Sequence, residues 1–322
     1  MRFAIMTEPQ QGLTYEEILA VARTAEAAGF EAFFRSDHYG AFPADADLPT
    51  TDCWATLAGL ARDTKSIRLG TLVSPVTFRV PGSFAKVVMT VDEMSGGRVE
   101  VGVGAGWNDV EHAQLGIPFP EITVRGDMLE EELAMLNGFW EEPDGWSFSG
   151  QHWQVREAKF RPRERPEGAR PDGRLRPSII VGGTGKGRSL RLAARYADEY
   201  NISGMGPANC AQIVERLDAA CRAIGRDPST LVCSAMVGTL VAESDAAMTV
   251  RVQDQLRAFG MDTAGAETWL NERTARWIFG TPDAARARMA EFEGAGVQRV
   301  MFQDFVPRDL EMVGLLGRIF LS

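Results

Sequence analysis

The sequence predicts an α/β protein, a (β/α)8 barrel of the TIM type with insertions at the barrel ends, on three observations. Short apolar runs alternate with helix-periodic segments about eight times, the number that closes a barrel. No glycine-rich turn follows the first apolar run, Phe3-Ala-Ile-Met6, as an open dinucleotide-binding sheet requires. The densest glycine cluster, Gly182 to Gly187, instead lies late in the chain, where barrels often bind phosphate. A doubly wound open sheet shows the same alternation and is the alternative.

Taken in order, Phe3–Met6 reads as a strand and Tyr15–Ala28 as a helix closed by Gly29. Glu31–Arg35 is a strand and Asp52–Asp63 a helix; Ile67–Val73 is a strand and Pro81–Met94 a helix, with proline tolerated in its first turn. Val99–Val103 and the long helix Arg125–Trp140 follow. Then come strand Ile179–Val181 and helix Ser189–Arg195, strand Glu199–Ile202 and helix Asn209–Ile224. The strand-like Leu231–Val241, helix Asp283–Ala295, strand Val297–Phe302 and helix Leu310–Phe320 complete the series. Two stretches break the alternation, about 145–177, with Trp146, Phe148, His152 and Trp153 before a Pro/Arg-rich run, and about 244–279. Loops of this length are usually lids or covers. Residues 1–322 therefore read as one barrel domain carrying two insertions near its ends.

The 45% apolar and 24% charged fractions belong to a globular protein with a sizeable core. A net charge of −10 argues against nucleic acid, whose phosphates need a basic face. Cys53, Cys210, Cys221 and Cys233 have no metal-ligand spacing and no neighbouring histidines, so neither a metal site nor a disulfide framework is expected. Scattered thiols, no bilayer-length apolar run and no leader before Phe3 fit a cytoplasmic protein acting on small molecules.

Barrel chemistry sits at the C-terminal ends of the strands. There the chain places Arg35-Ser-Asp-His-Tyr-Gly40, Thr71-Leu-Val-Ser-Pro-Val-Thr-Phe-Arg79, Gly102-Val-Gly-Ala-Gly-Trp-Asn-Asp-Val-Glu-His112 and the late glycine loop. Asp37-His38 is the strongest catalytic pair, because an imidazole titrates near neutrality and can move a proton. The bland reading is a histidine that only hydrogen-bonds the neighbouring strand end. His112 reads as structural, and nothing supports a function for His152. Gly102, Gly104 and Gly106 allow close backbone approach, while Trp107 and Asn108 either wall a site or, for Trp107, fill core. In the stretch Ser178–Ser189, Gly182, Gly183, Thr184 and Gly185 precede a helix whose first N–H groups suit a phosphate. Lys186 and Arg188 strengthen that anion reading, and a tight turn with no ligand is its bland counterpart.

Together these segments resemble the bacterial-luciferase-like family of flavin and deazaflavin oxidoreductases. The resemblance rests on Ser36-Asp-His38, Ser74–Arg79, Met94–Val99, Gly104–Asn108 with Glu111-His112, Gly116–Pro120, Val181–Gly185, Leu192–Asp198 and Asn201, and spans about residues 2–320. It implies a TIM-like barrel with insertions. Within the family, the Asp-His pair and the Gly-Ala-Gly-Trp-Asn run resemble the branch that uses the deazaflavin F420. That branch implies hydride transfer, with Asp37 and His38 lining the deazaflavin and handling a proton. It further implies a non-prolyl cis peptide at Thr71-Leu72 behind the ring and a ring contact at Ser74. Gly106, Trp107 and Asn108 would lie at the ring, and Gly182, Gly183, Thr184 and Gly185 would hold the phosphate. Sugar-phosphate dehydrogenases of the branch carry a glutamate near Trp107, and a tryptophan cannot transfer a proton. Trp107 with Phe42, Phe78 and Trp153 instead suggests an apolar or aromatic substrate wall. The alternatives are an FMN-dependent monooxygenase fed by a separate reductase, and a non-catalytic flavin-binding homologue. The family also implies a homodimer.

Overall fold

The computed structural model describes residues 1–42, 47–162 and 175–322. In chain order, β1 (Arg2–Thr7), α1 (Tyr15–Ala27), β2 (Ala32–Arg35), α2 (Cys53–Asp63), β3 (Arg68–Thr71), a two-residue β4 (Ser74–Pro75), α3 (Pro81–Ser95) and β5 (Val99–Gly104) come first. The loop after β5 carries α4 (Asp109–Leu115), and α5 (Ile122–Glu141), the hairpin β6 (Trp146–Ser149) and β7 (Gln154–Ala158) follow. Next are β8 (Ser178–Gly183), α6 (Gly187–Tyr196), β9 (Glu199–Ser203), α7 (Pro207–Ala223) and β10 (Val232–Val241). The chain ends with α8 (Asp245–Ala258), α9 (Ala266–Asn271), β11 (Ile278–Gly280), α10 (Pro282–Gly294), β12 (Arg299–Asp304) and α11 (Leu310–Phe320).

Local chemistry sets these boundaries. Thr14 and Glu17 form a reciprocal capping box at the start of α1, and Gly29 turns with positive φ just beyond its end. Asp52 caps α2 by accepting from Ala55 N at 2.8 Å, so the aspartate read as the first helical residue is its cap.

Eight parallel strands run in the order β10-β12-β1-β2-β3-β5-β8-β9, and pairing of β9 with β10 closes the ring. That closure decides for the barrel over the open sheet. Strands covered on both faces read as continuous apolar runs. Outward side chains such as Ile5, Phe33, Leu69, Val101 and Val181 pack under the helices. Inward ones, Ala4, Met6, Ala32, Phe34, Ile180 and Met301, form a smaller cluster with Leu72 inside the ring.

The floor of the barrel, at the N-terminal strand ends, is a buried ion network. Arg299 reaches Glu100 at 2.7 Å, Glu199 at 3.1 Å and Glu31 at 2.5 Å, while Arg68 meets Glu100 at 2.5 Å. Burial alone would push the Glu100 carboxyl up, but the guanidiniums of Arg299 and Arg68 outweigh it and hold the pKa at about 2.

The insertions differ in where they lie. The β6–β7 hairpin packs along α5: Trp146 fills the space over Gly138, and Glu131 accepts from the backbone N–H groups of Gln151, His152 and Trp153. Most of the Pro/Arg-rich run falls at 163–174, outside the described residues. The 244–279 segment folds as α8, α9 and β11, and β11 extends the sheet beside Thr239–Val241 at the C-terminal end of β10. There Trp277 lies directly over Gly238, where a Cβ would come within 2.2 Å of the indole.

Candidate active site

His38 stands just past β2, at the mouth end of the barrel, with its side chain 13% exposed. Its Nδ1 lies 2.9 Å from Oε1 of Glu111, a residue 73 positions away on α4. Oε2 of the same carboxylate accepts from Tyr39 N at 2.8 Å and Gly40 N at 3.1 Å. Gly40 eases this approach, since a Cβ there would sit 3.2 Å from Glu111 Cβ, closer than ordinary van der Waals contact. Phe42 and Trp107 meet the imidazole edge-on at 4.6 and 5.7 Å and each other at 5.0 Å. Trp107 is 62% exposed, so it belongs to the rim and not the core. Among the described residues, His38 Nε2 has no hydrogen-bond partner.

Asp37 neighbours His38 in sequence, but its carboxylate bonds elsewhere. It accepts from Arg79 Nη1 at 2.5 Å and from Ser74 Oγ at 2.6 Å, fully buried. Arg79 also reaches Asp52 at 2.7 Å and the Tyr39 hydroxyl at 3.0 Å, and Tyr39 donates to Asp52 at 2.7 Å. Burial opposes charge on Arg79, but Asp37 and its neighbours more than compensate and raise the guanidinium pKa. Burial and the bond to Asp52 likewise push the Tyr39 hydroxyl up. Asp52 stays below the ordinary carboxylate value despite its burial, because Ala55 N, Tyr39 and Arg79 all donate to it. Ser74, expected to touch a ring, is enclosed: it donates to Asp37 and accepts from Trp54 Nε1 at 3.0 Å. This cluster stiffens the loops that carry His38.

β3 ends at Thr71, whose hydroxyl bridges to the backbone of Gly102 in β5. The non-prolyl cis peptide follows at Leu72-Val73, one bond later than Thr71-Leu72. Beyond it, Val73 turns against the barrel wall. A Cβ at Gly104 or Gly182 would come within 2.8 or 2.9 Å of its methyl groups, so these glycines make room for Val73. Gly183 serves Tyr200 instead: a Cβ would approach the phenol oxygen to 2.7 Å. That oxygen accepts from Gly185 N at 2.8 Å and bonds Ser189 Oγ at 3.0 Å, which sets the shape of the loop. Thr184 and Lys186 are exposed at its tip, and α6 opens without a side-chain cap. Arg188 turns away to Asp127 at 2.6 Å and Glu130 at 3.4 Å on α5.

Thus His38, Phe42 and Trp107 come together, with Asn108 just behind. Asn108 caps α4 through Val110 N at 3.2 Å, and Gly106 has the positive φ that starts this turn. Phe78 packs instead on Tyr39 and His112 at 4.7 and 4.9 Å. His112 is buried, with Nε2 2.6 Å from Thr77 Oγ1 and Nδ1 2.6 Å from the Asn108 carbonyl. Trp153 stays with the hairpin on α5, its N–H held by Glu131, and joins neither group. The partner to which reasoning from sequence gave no role is Glu111, which it met only as part of the Glu111-His112 stretch of the resemblance. Among the described residues there is no cluster of metal-ligating side chains, and no helix is long and apolar enough to cross a membrane.

The chain is also similar to known proteins over most of its length. A sequence model of luciferase-like monooxygenases matches residues 1–299. The F420-dependent hydroxymycolic acid dehydrogenase of Mycobacterium tuberculosis is 29% identical over 275 residues, 83% of this chain and 72% of that protein. The pyrimidine monooxygenase RutA of Stutzerimonas stutzeri is 27% identical over 274 residues, 83% of this chain and 71% of that one. In fold, an F420-dependent secondary alcohol dehydrogenase, solved with an F420-acetone adduct, superposes with a TM-score of 0.82 at 19% identity, covering 99% of this chain and 98% of the other. With a family match that spans nine-tenths of the sequence and a closed barrel of the same architecture, the chain belongs to the luciferase-like monooxygenase family.

Proposed function

We propose that this protein is an oxidoreductase that binds the deazaflavin F420 in the barrel mouth and passes a hydride between it and a small organic substrate with an apolar or aromatic surface. The observation that carries the reading is His38: held through Nδ1 by a buried carboxylate, packed against Phe42 and Trp107, and without a partner at Nε2 among the described residues. The residues at the mouth suit a phosphate-tailed ring. The uncapped N-terminus of α6 presents main-chain N–H groups beside the exposed Thr184, and such a terminus binds phosphate. When bound, F420 supplies the hydride chemistry. The chain's own residues then position, exclude water and handle a proton. His38 donates a proton from Nε2 to a substrate oxygen during reduction, or accepts one there during oxidation. Phe42 and Trp107 shield that atom from bulk water and offer an apolar wall. Asp37 keeps Arg79 and Ser74 in place and so holds the His38 loop.

Anaerobic titration of the purified protein with F420 and with FMN, side by side, tests this. The expected result is tight F420 binding and substrate-dependent change in its redox state without oxygen consumption. Preferential retention of FMN with oxygen-dependent product formation would overturn it in favour of a monooxygenase. Binding without turnover of any substrate would point to a non-catalytic homologue.

A further inference from the structure

We propose that Glu111 is a positioning residue that fixes His38 as its Nδ1–H tautomer, so that proton exchange with substrate takes place at Nε2 alone. The proposal deepens the reading above, and its first test does not depend on it. An ionised carboxylate only accepts hydrogen bonds. The Glu111 carboxylate, 1% exposed, has three nitrogen atoms converging on it. Two of these, Tyr39 N and Gly40 N, are main-chain donors that cannot reverse their direction, and both address Oε2. Oε1 is left for His38 Nδ1 at 2.9 Å. The ionised acceptor is completed only if Nδ1 carries the hydrogen. In the neutral ring the lone pair is then on Nε2, and when the ring is charged the exchangeable proton is there too.

The ring has little freedom to escape this arrangement. Phe42 and Trp107 meet it edge-on, and the bonds to Tyr39 and Gly40 tie the segment just after His38 to the same carboxylate. A single side chain therefore sets both the position of the His38 loop and the protonation pattern of the imidazole. Asp37 cannot perform this task, since Arg79 and Ser74 occupy its oxygens.

Glu111→Gln separates the positioning role from loop anchoring. Its one carbonyl oxygen can keep the Tyr39 and Gly40 donors, which turns its –NH2 toward Nδ1 and forces the Nε2–H tautomer. Nitrogen-15 spectra of the imidazole rings in cofactor-free protein read this directly. The chain has three histidines, and His38→Ala identifies the His38 signals. The expected result is Nδ1–H in the wild type and Nε2–H in Glu111→Gln, with the main-chain signals of Tyr39 and Gly40 little changed. In turnover, kcat should fall about 100-fold, the scale of a proton-transfer contribution, while KM and cofactor affinity hold within about twofold. A wild-type His38 carrying its hydrogen on Nε2 overturns the proposal even if the variant fails to fold. An unchanged tautomer and kcat in a folded Glu111→Gln variant overturn it as well. The expected spectra with no F420-dependent turnover would leave Glu111 in its role and remove the cofactor reading instead.

Discussion

The two ends of the barrel both bury charge, yet they use it differently. At the floor, Arg299 and Arg68 face Glu100, Glu199 and Glu31 across the strand starts, and Arg2 adds a third cation opposite the three carboxylates. At the mouth, Asp37, Asp52 and Glu111 are anchored to Arg79, Tyr39 and loop amides, but the side chains they support, His38 and Trp107, keep an open edge. Barrels generally separate stability at one end from chemistry at the other. Here the floor carboxylates face guanidiniums of the same network, whereas among the described residues the mouth network ends on an imidazole nitrogen with no partner.

The largest effect that sharpens this contrast comes from the mouth. His38→Ala is expected to lower kcat by about 100- to 10,000-fold, the range of general acid–base catalysis, with cofactor affinity and melting temperature nearly unchanged. Steady-state kinetics and a binding titration check it, and unchanged turnover would break the assignment of the mouth as the reactive end. The mirror experiment is Arg299→Met. It removes the cation shared by Glu100, Glu199 and Glu31, leaving Glu100 to Arg68 and the other two to the more distant Arg2, and should cost about 3–5 kcal/mol in denaturant unfolding, with kcat per folded molecule intact.

Acid and base separate the ends next. Glu100 has its pKa lowered on folding to about 2, so its stabilisation is present above its ordinary carboxylate range and is lost as pH falls through about 4.5 toward 2. Asp304, at the mouth end of β12, behaves oppositely. Burial raises its carboxyl to about 7, one oxygen has no partner among the described residues, and the other accepts from Val306 N. The folded state holds that proton more tightly than the unfolded chain, so stability falls as pH rises from about 4 to 7. Asp304→Asn should flatten this slope and raise stability at pH 8 relative to wild type by about 1–4 kcal/mol, measured by unfolding at pH 5 and pH 8. A parallel pair of wild-type and variant curves would refute the assignment. The smallest expected effect is that of Arg188→Ala. Its surface bridges to α5 are worth about 0–1 kcal/mol, and cofactor affinity should not change. A clear loss of affinity would mean that Arg188 swings round to the glycine loop.

Much of the fold was readable because periodicity reports burial directly. Runs such as Ile179–Val181 are apolar on both faces because helices cover one side and the barrel interior the other. The hairpin at 146–158 was not readable, since its residues alternate only weakly and its register depends on Glu131 gathering three amides from another element. At the site, His38, Phe42 and Trp107 were legible from residue type at strand ends. The ties of Asp37 to Arg79 and of His38 to Glu111 were not, because they cross 42 and 73 residues of sequence. The glycines were legible as places of close approach, but not what approaches: Val73 at Gly104 and Gly182, Tyr200 at Gly183.

By itself, then, the sequence determined the barrel, the end at which its chemistry-bearing residues gather and the family to which they are similar, because hydrophobic period and glycine placement are properties of neighbours along the chain. Only the tertiary structure decided which carboxylate serves which cation, which histidine nitrogen meets a carboxylate and where α8, α9 and β11 lie. Those outcomes depend on distances between segments far apart in sequence, set when β9 pairs with β10 and the ring closes.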